Sequence, residues 1–335
     1  MKRHKICKII FAILAVFLCV AFYELIGICI TYKKQPAVSD ATIKETQNIM
    51  SVAGRENTER AVIIEKNSQA LLERVRLIQN AKDEIILSTF AFKSDESGKL
   101  ILGALHDAAD RGVHVRILVD GMESWIDMEG NPYFYGLSSH ENVEIKLYNK
   151  ANPLKPWKTM GRMHDKYLIA DGKIYILGGR NTYNYFLGDF PGHKNFDRDV
   201  LVVCDEPQKD NSVNQLWDYF ETIWEQEDCR YFHNSKKLAD RQSVKKAVLE
   251  LQEGYQQYFE VNKEKICDTD YADETFETEK IILLSNPIHT QAKEPVVWYQ
   301  LGELMKNAKE RVKIHTPYIT VSYTHLRAHE TTLHL

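Results

Sequence analysis

The sequence has no long run of basic residues. Its 43 lysines and arginines are outnumbered by 47 aspartates and glutamates, and the formal net charge is −4. Proteins that bind nucleic acid usually carry a basic groove, because much of their affinity comes from neutralising phosphates. The charge therefore argues against a nucleic-acid partner. A local basic cluster remains, which suits either a solvated loop or an anionic headgroup or phosphodiester: Lys150, Lys155, Lys158, Arg162 and Lys166.

The cysteines lack the spacing of a metal site. Of the six cysteines, three lie in the apolar N-terminal region, and Cys204, Cys229 and Cys267 follow in the rest of the chain. None of these spacings matches a zinc site, and an odd number leaves at least one cysteine unpaired within this part of the chain. We therefore expect no metal and no cofactor.

The N-terminus carries one long apolar segment. Ile9 to Tyr23 is unbroken, and after Glu24 the segment continues to Tyr32. This length suffices to cross a hydrocarbon core of about 30 Å. A cleavable signal peptide would have a shorter apolar core and a small-residue cleavage site, which is absent here. We expect residues 1–34 to form an uncleaved, single-pass membrane anchor.

Basic residues flank this segment unequally: Lys2, Arg3, Lys5 and Lys8 precede it, and Lys33 and Lys34 follow it. The positive-inside tendency then predicts a cytoplasmic N-terminus and an extracytoplasmic catalytic domain. Residues 35–60 are polar without a clear period, which favours a juxtamembrane linker.

The most informative pattern is H-x-K-x4-D, formed by His164, Lys166 and Asp171, followed by G-G-x-N at residues 178–181. The apolar residues 162–170, the Asp171-Gly172 turn signal and the run 173–177 predict a β-hairpin. Alternation along a strand would place His164 and Lys166 on one face, about 7 Å apart. Gly178 and Gly179 would let the backbone approach a ligand.

These side chains suit a phosphate site without a metal. Lys166 supplies a positive charge, Asn181 an amide donor and His164 an imidazole that titrates near neutral pH. A histidine so placed can attack phosphorus and form a covalent phosphohistidine, which divides one difficult displacement into two easier ones. Fixed donors would stabilise the developing charge.

With these motifs, residues 61–227 resemble the first lobe of the phospholipase D superfamily, particularly its cardiolipin synthase-like and bacterial phospholipase D-like branches. Residues 111–121 resemble the family's helix-to-strand segment before the motif. The segment after the motif is also similar: Phe196 to Val200, then Trp217, Phe220 and Trp224.

The resemblance implies residue roles. His164 would be nucleophile or general acid, Asp171 a supporting residue behind the motif, and Asp199 the residue that orients a catalytic histidine. Position 179 departs from many members, which have serine there. The implied catalytic set is His164, Lys166, Asp171 and Asp199, and the implied phosphate-binding set is Lys166, Gly179 and Asn181.

Periodicity predicts helix–strand alternation. Helices are expected over residues 68–81 and 100–112, and strands over 85–92 and 113–119. Residues 236–258 also have helical character. The first predicted helix places three apolar residues on one face: Leu71, Val75 and Ile78. We therefore expect an α/β fold with a mixed sheet flanked by helices, as the resemblance also implies.

A second helix–strand unit at residues 307–319 echoes residues 80–92, at an offset of about 227 residues. The second H-x-K-x4-D motif of a two-lobed member would then fall at about position 391, beyond residue 335. We expect residues 61–230 to form a complete first lobe, 231–279 an inter-lobe connector whose acidic stretch 268–279 is exposed, and 280–320 the start of a truncated second lobe.

Residues 321–335 match no period of the family and resemble translated adapter sequence. We expect this tail to be non-native, and we do not interpret its histidines as metal ligands: His325, His329 and His334.

The favoured function is a phosphatidyl transferase or phospholipase, held at the bilayer by its anchor and acting on phospholipids through a phosphohistidine. The chain as printed is expected to be inactive without a second motif. Two alternatives stay open. One is a nuclease or phosphodiesterase, in which a homodimer would pair two single motifs. The other is a non-catalytic, membrane-tethered binding module.

Overall fold

A nine-stranded mixed sheet forms the centre of the fold. The computed structural model describes residues 2–51 and 59–314. The strands are β1 Arg60–Ile64, β2 Glu84–Thr89, β3 His114–Asp120, β4 Val143–Tyr148, β5 Tyr167–Ala170, β6 Ile174–Gly178, β7 Asp199–Val203, β8 Cys229–Tyr231 and β9 Phe276–Glu277. Their order across the sheet is β8-β4-β3-β2-β5-β6-β7-β1-β9.

The helices are α1 Lys2–Tyr32, α2 Asp40–Ser51, α3 Asn67–Asn80, α4 Glu96–Asp110, α5 Gly121–Asp127, α6 Pro132–Ser138, α7 Ser212–Trp224, α8 Lys236–Ala239, α9 Gln242–Ile266 and α10 Val296–Asn307, with a 3-10 turn at Pro156–Lys158. Strands β2, β3 and β4 pair in parallel, whereas the other pairs are antiparallel. Parallel neighbours need a crossover connection, and α4, α5 and α6 provide it.

The sheet buries both faces. Along β2, Ile85 and Leu87 pack into one apolar cluster and Ile86 into the other. This follows from the two-residue period of a strand. Helices α3, α4, α6 and α9 cover the first face, and α7 covers the second. The expected α/β class, with a mixed sheet flanked by helices, is confirmed.

The predicted helices of the first lobe are confirmed. Helix α3 buries Leu71, Val75 and Ile78. Helix α4 ends at Asp110, and Gly112 follows with φ of 93°, a conformation that glycine adopts without a steric penalty. The turn between β5 and β6 is also confirmed, since Asp171 and Gly172 have φ of 51° and 61°.

The predicted strand over residues 162–170 is wrong in its first half, because β5 begins only at Tyr167. The backbone N–H of Met163 donates to Asp120 Oδ2 at 3.0 Å, and Arg162 pairs with Asp120 Oδ1 at 3.1 Å. These contacts replace ladder hydrogen bonds, so His164 and Lys166 lie on irregular backbone before the strand.

The helical character expected over residues 236–258 is confirmed by α8 and α9, and most of the acidic stretch 268–279 is exposed, as expected. The connector nevertheless packs against the first lobe. Helix α9 packs on α4 and buries Leu251 and Tyr255. Farther on, β9 pairs with β1. Arg76 fixes the acidic stretch because it pairs with Glu274 at 2.8 Å and lies 4.0 Å from the Tyr271 ring centroid.

Two further elements differ from expectation. The polar linker contains helix α2, whose first turn is capped where Thr42 N donates to Ser39 Oγ at 3.2 Å. At the other end, the helix of the expected echo is present as α10, but residues 308–314 form no strand. Residues 315–320 of that echo and the tail 321–335 lie outside the described residues.

Helix α1 projects from this body. Its segment Lys5–Tyr32, of 28 residues, is long and apolar enough to cross a bilayer.

Candidate active site

A cavity of about 390 Å³ opens at the motif. One wall comes from the residues before β5, the end of β6 and helix α7. The other comes from the segment that follows β9. The lining includes Arg162, His164, Asp165, Lys166, Tyr167, Leu177, Gly178, Leu216, Tyr219, Leu283, Ser285, Asn286, Ile288 and Lys293.

His164 is exposed and lies against the Phe90 ring, with ring centroids 4.6 Å apart. Partial burial lowers the pKa of its imidazole, and the charge of Lys166 lowers it further. The ring is therefore mostly neutral at pH 7, which is the form that a nucleophile requires.

Lys166 is the buried cation of the site, with 6% of its surface exposed. Its Nζ donates to the His164 carbonyl oxygen at 2.6 Å and lies 5.3 Å from the Phe90 ring centroid. Burial lowers the pKa of Lys166 to about 8, although the carboxylates of Asp165 and Asp197 oppose this shift. A bound phosphate would supply the counter-charge that this ammonium lacks.

The low pKa of Lys166 predicts that the binding of anions depends on pH. The ammonium is charged below about pH 8 and neutral above it, so anion affinity should fall as the pH rises through that value. We expect sulfate, whose own charge is constant here, to bind about tenfold more weakly at about pH 9.5 than at about pH 7. Calorimetry measures this difference. Lys166→Arg should remove the dependence because arginine stays charged; an equal slope in that variant would exclude Lys166 as the titrating group.

The cavity also contains a polar group that the motif analysis missed. Tyr219 donates to Asp165 Oδ2 at 2.8 Å. Burial raises the pKa of Asp165, and burial lowers the pKa of Lys293, against the opposing charge of Asp165. Strict strand alternation would have pointed Asp165 away from His164 and Lys166. The irregular backbone instead places all three at the cavity.

Asn181 is buried, but it is not among the residues that line the cavity. Its Oδ1 accepts the backbone N–H of Ala91 at 3.1 Å, and Thr182 N donates to the Ala91 carbonyl at 3.1 Å. Asn181 therefore fixes the chain beside Phe90, which contacts His164 and Lys166. Its role in phosphate binding stays a prediction.

At Gly178 and Gly179, the space that a side chain would need is occupied by aspartate carboxylates. A Cβ at Gly178 would lie 2.0 Å from Asp199 Oδ1, and a Cβ at Gly179 would lie 2.0 Å from Asp197 Oδ2. A serine at position 179 would therefore displace Asp197. Gly178 lines the cavity, whereas Gly179 does not.

Asp171 lies at the other end of β5, roughly 16 Å along the strand from Lys166. Its carboxylate accepts the backbone N–H groups of Lys82, Asp83 and Glu84 at 2.8 to 3.2 Å. The structure thus gives Asp171 a local anchoring role at the β2 entry and does not bring it to the cavity.

Asp199 lies between two arginines and is fully buried. Its Oδ2 is 2.9 Å from Arg74 and 3.3 Å from Arg180, and the side chain of Arg180 is also fully buried. Arg180 further donates to Asn67 Oδ1 at 3.1 Å. The structure therefore places Asp199 in a buried ion-pair network rather than against a histidine.

No cluster of three or more histidine, cysteine, aspartate or glutamate side chains with metal-binding geometry occurs in residues 2–51 and 59–314. His325, His329 and His334 lie outside those ranges. Beside His164, the described cavity presents the ammonium of Lys166.

The central part of the chain is similar to known proteins. The family described as cardiolipin synthase, phospholipase D-like domain, matches residues 75–224. An uncharacterized protein of Helicobacter pylori is 33% identical over 181 residues, which cover 50% of this chain and 35% of that protein. Cardiolipin synthase C of Escherichia coli is 29% identical over 154 residues, covering 42% and 31% respectively. The solved structure of a phospholipase D family member, Nuc from Salmonella typhimurium, is 18% identical with a TM-score of 0.38, covering 53% of this chain and 99% of that chain.

Residues 75–224 belong to the phospholipase D superfamily, as a cardiolipin synthase-like domain. The matched segments span about a third of the length of these two curated relatives.

Proposed function

We propose that this chain carries the first lobe of a membrane-anchored enzyme that transfers or hydrolyses the phosphatidyl group of phospholipids. The observation that supports this most directly is the cavity in which a neutral imidazole, His164, adjoins a buried ammonium, Lys166. The cardiolipin synthase-like family match supports a phospholipid substrate, and helix α1 would keep the cavity at a lipid surface.

In the proposed first step, the neutral nitrogen of His164 attacks phosphorus and a P–N bond forms. The P–O bond to the headgroup alcohol breaks, and the leaving oxygen takes a proton from a general acid. Lys166 neutralises the phosphoryl oxygens as their charge rises. Water or a second alcohol then attacks phosphorus, loses its proton to the same group and releases His164. Water gives phosphatidic acid, and phosphatidylglycerol as the alcohol gives cardiolipin.

The general acid needs a second titratable group. His164 is the one histidine among the described residues that line the cavity. The segment 283–297 lines the opposite side of the cavity, and this is where the expected second lobe begins. We propose that a second motif faces His164 across this side, supplied either by a longer chain or by a second copy.

Labelled phosphatidylglycerol tests the proposal. The full-length protein from the native gene, incorporated in vesicles, should convert it to cardiolipin or phosphatidic acid, resolved by thin-layer chromatography. The chain as printed should show little turnover. Cleavage of DNA with a steep salt dependence would favour the nuclease instead. A folded full-length protein that binds the lipid without converting it would favour a binding module.

A further inference from the structure

The last turns of α1 pack against the loop that precedes the motif. Tyr23 OH donates to the Leu154 carbonyl at 3.3 Å, and Thr159 Oγ1 donates to Glu24 Oε2 at 3.3 Å. One turn later, Gly27 lies against Pro156, where an added Cβ would be 2.5 Å from Cγ. These contacts fix the position of the loop along the axis of α1.

The length of α1 indicates where this position lies relative to the membrane. The apolar stretch Lys5–Tyr32 has 28 residues and measures about 42 Å. A hydrocarbon core of about 30 Å needs only about 20 of them. The remaining two turns are those that contact the domain, so the membrane boundary falls near Tyr23 and Glu24. This boundary removes the cost of placing Glu24 at membrane depth.

The loop at this boundary exposes large apolar side chains. Leu154 is 77% exposed, Met160 58% and Trp157 41%. Lys155 lies between them and forms no ion pair with any residue in the described part of the chain, whereas Lys158 pairs with Asp228. Exposed apolar groups beside a cation suit the boundary between acyl chains and anionic headgroups.

We propose that residues 152–160 form a second membrane contact, with Leu154, Trp157 and Met160 in the interfacial layer and Lys155 on an anionic headgroup. The contact surrounds the exit of α1 from the bilayer. Arg162 follows the loop and lines both the cavity at the helix junction and the cavity at His164. The loop would thus hold the catalytic cavity at the lipid surface. This inference rests on the anchorage in the proposed function, but not on its chemistry.

Quenching of tryptophan fluorescence by brominated lipids tests the contact. The whole chain is incorporated in phosphatidylcholine vesicles that contain phosphatidylglycerol, and membrane attachment is checked by flotation. Trp157→Phe should remove most of the lipid-quenched emission. The matched control Trp298→Phe removes a tryptophan that is 60% exposed on α10 and should leave the quenched emission in place. Equal quenching in the two variants, or a chain that does not float, would overturn the inference.

A second pair of variants keeps Trp157 and changes the depth of the loop. Leu154→Asp should reduce the quenching of Trp157, because a carboxylate cannot enter the apolar layer without a large cost. Leu249→Asp places the same charge at a leucine that is 59% exposed on α9 and should change nothing. Quenching that survives Leu154→Asp would contradict insertion of the loop. Neither pair of variants requires turnover. An enzyme without activity would therefore refute the proposed chemistry but leave the quenching result, and the membrane contact, unaffected.

Discussion

Replacing His164 with alanine in the full-length protein is expected to reduce the turnover of phosphatidylglycerol by about a thousandfold or more, since removal of a nucleophile eliminates the covalent route. The exposed imidazole at the cavity and its lowered pKa support this role. The rate of product formation in vesicles measures the effect. Folding should be unaffected because His164 is exposed and contacts chiefly the Phe90 ring.

The matched control is His193→Ala. His193 is also exposed and contacts an aromatic ring, that of Tyr185, but it does not line the cavity. Its removal should leave turnover within about twofold of the wild-type rate, as expected for a surface change remote from the site. Comparable turnover in His164→Ala and His193→Ala would remove His164 from the mechanism.

The second large effect is on stability. Asp199→Ala should lower the free energy of unfolding by about 3–5 kcal/mol, because it leaves Arg74 and Arg180 as adjacent buried cations without their shared carboxylate. Urea unfolding in detergent, followed by circular dichroism, measures the change. Asp189→Ala removes an exposed carboxylate from the neighbouring loop and should cost less than about 0.5 kcal/mol.

This experiment also separates two roles for Asp199. The family resemblance assigned it to orienting a catalytic histidine, whereas the structure places it between arginines. If Asp199→Ala keeps wild-type stability but loses turnover, the orienting role is correct and the buried network is not a major source of stability. Loss of stability at the predicted size would support the structural role.

Much of the fold follows from local patterns in the sequence. Leu71, Val75 and Ile78 recur at helical spacing and are buried in α3, and Asp171-Gly172 forms the predicted turn. Helix α2 was missed because its stability comes from tertiary contacts as well as from its own sequence. One such contact is Ser39 N donating to Glu294 Oε1 at 2.7 Å, across a separation of 255 residues.

The site was less predictable than the fold. The motif identified His164 and Lys166, which both line the cavity, but no periodicity signals the contact between Tyr219 and Asp165, 54 residues apart. The predicted strand also pointed Asp165 away from the site. In the structure, Asp120 instead accepts the backbone N–H of Met163, so the residues before β5 are not paired as a strand. Lys293 reaches the cavity from a segment with no motif of its own.

The basic loop shows how tertiary contacts change an interpretation. In sequence, Lys150, Lys158 and Arg162 appear as free positive charges. In the structure they pair with Glu129, Asp228 and Asp120. The loop keeps its exposed apolar side chains and the charge of Lys155, and their position beside α1 is what suggests a membrane contact.

In the proposed mechanism, His164 forms a covalent bond to the phosphorus of a phospholipid. Peptide mass spectrometry of the full-length protein, quenched at neutral or basic pH during turnover of phosphatidylglycerol, tests it most directly. A phosphatidyl adduct is expected on the peptide that contains His164 and should be absent from His164→Ala. Sustained turnover with His164 unmodified and the adduct on another residue would contradict it.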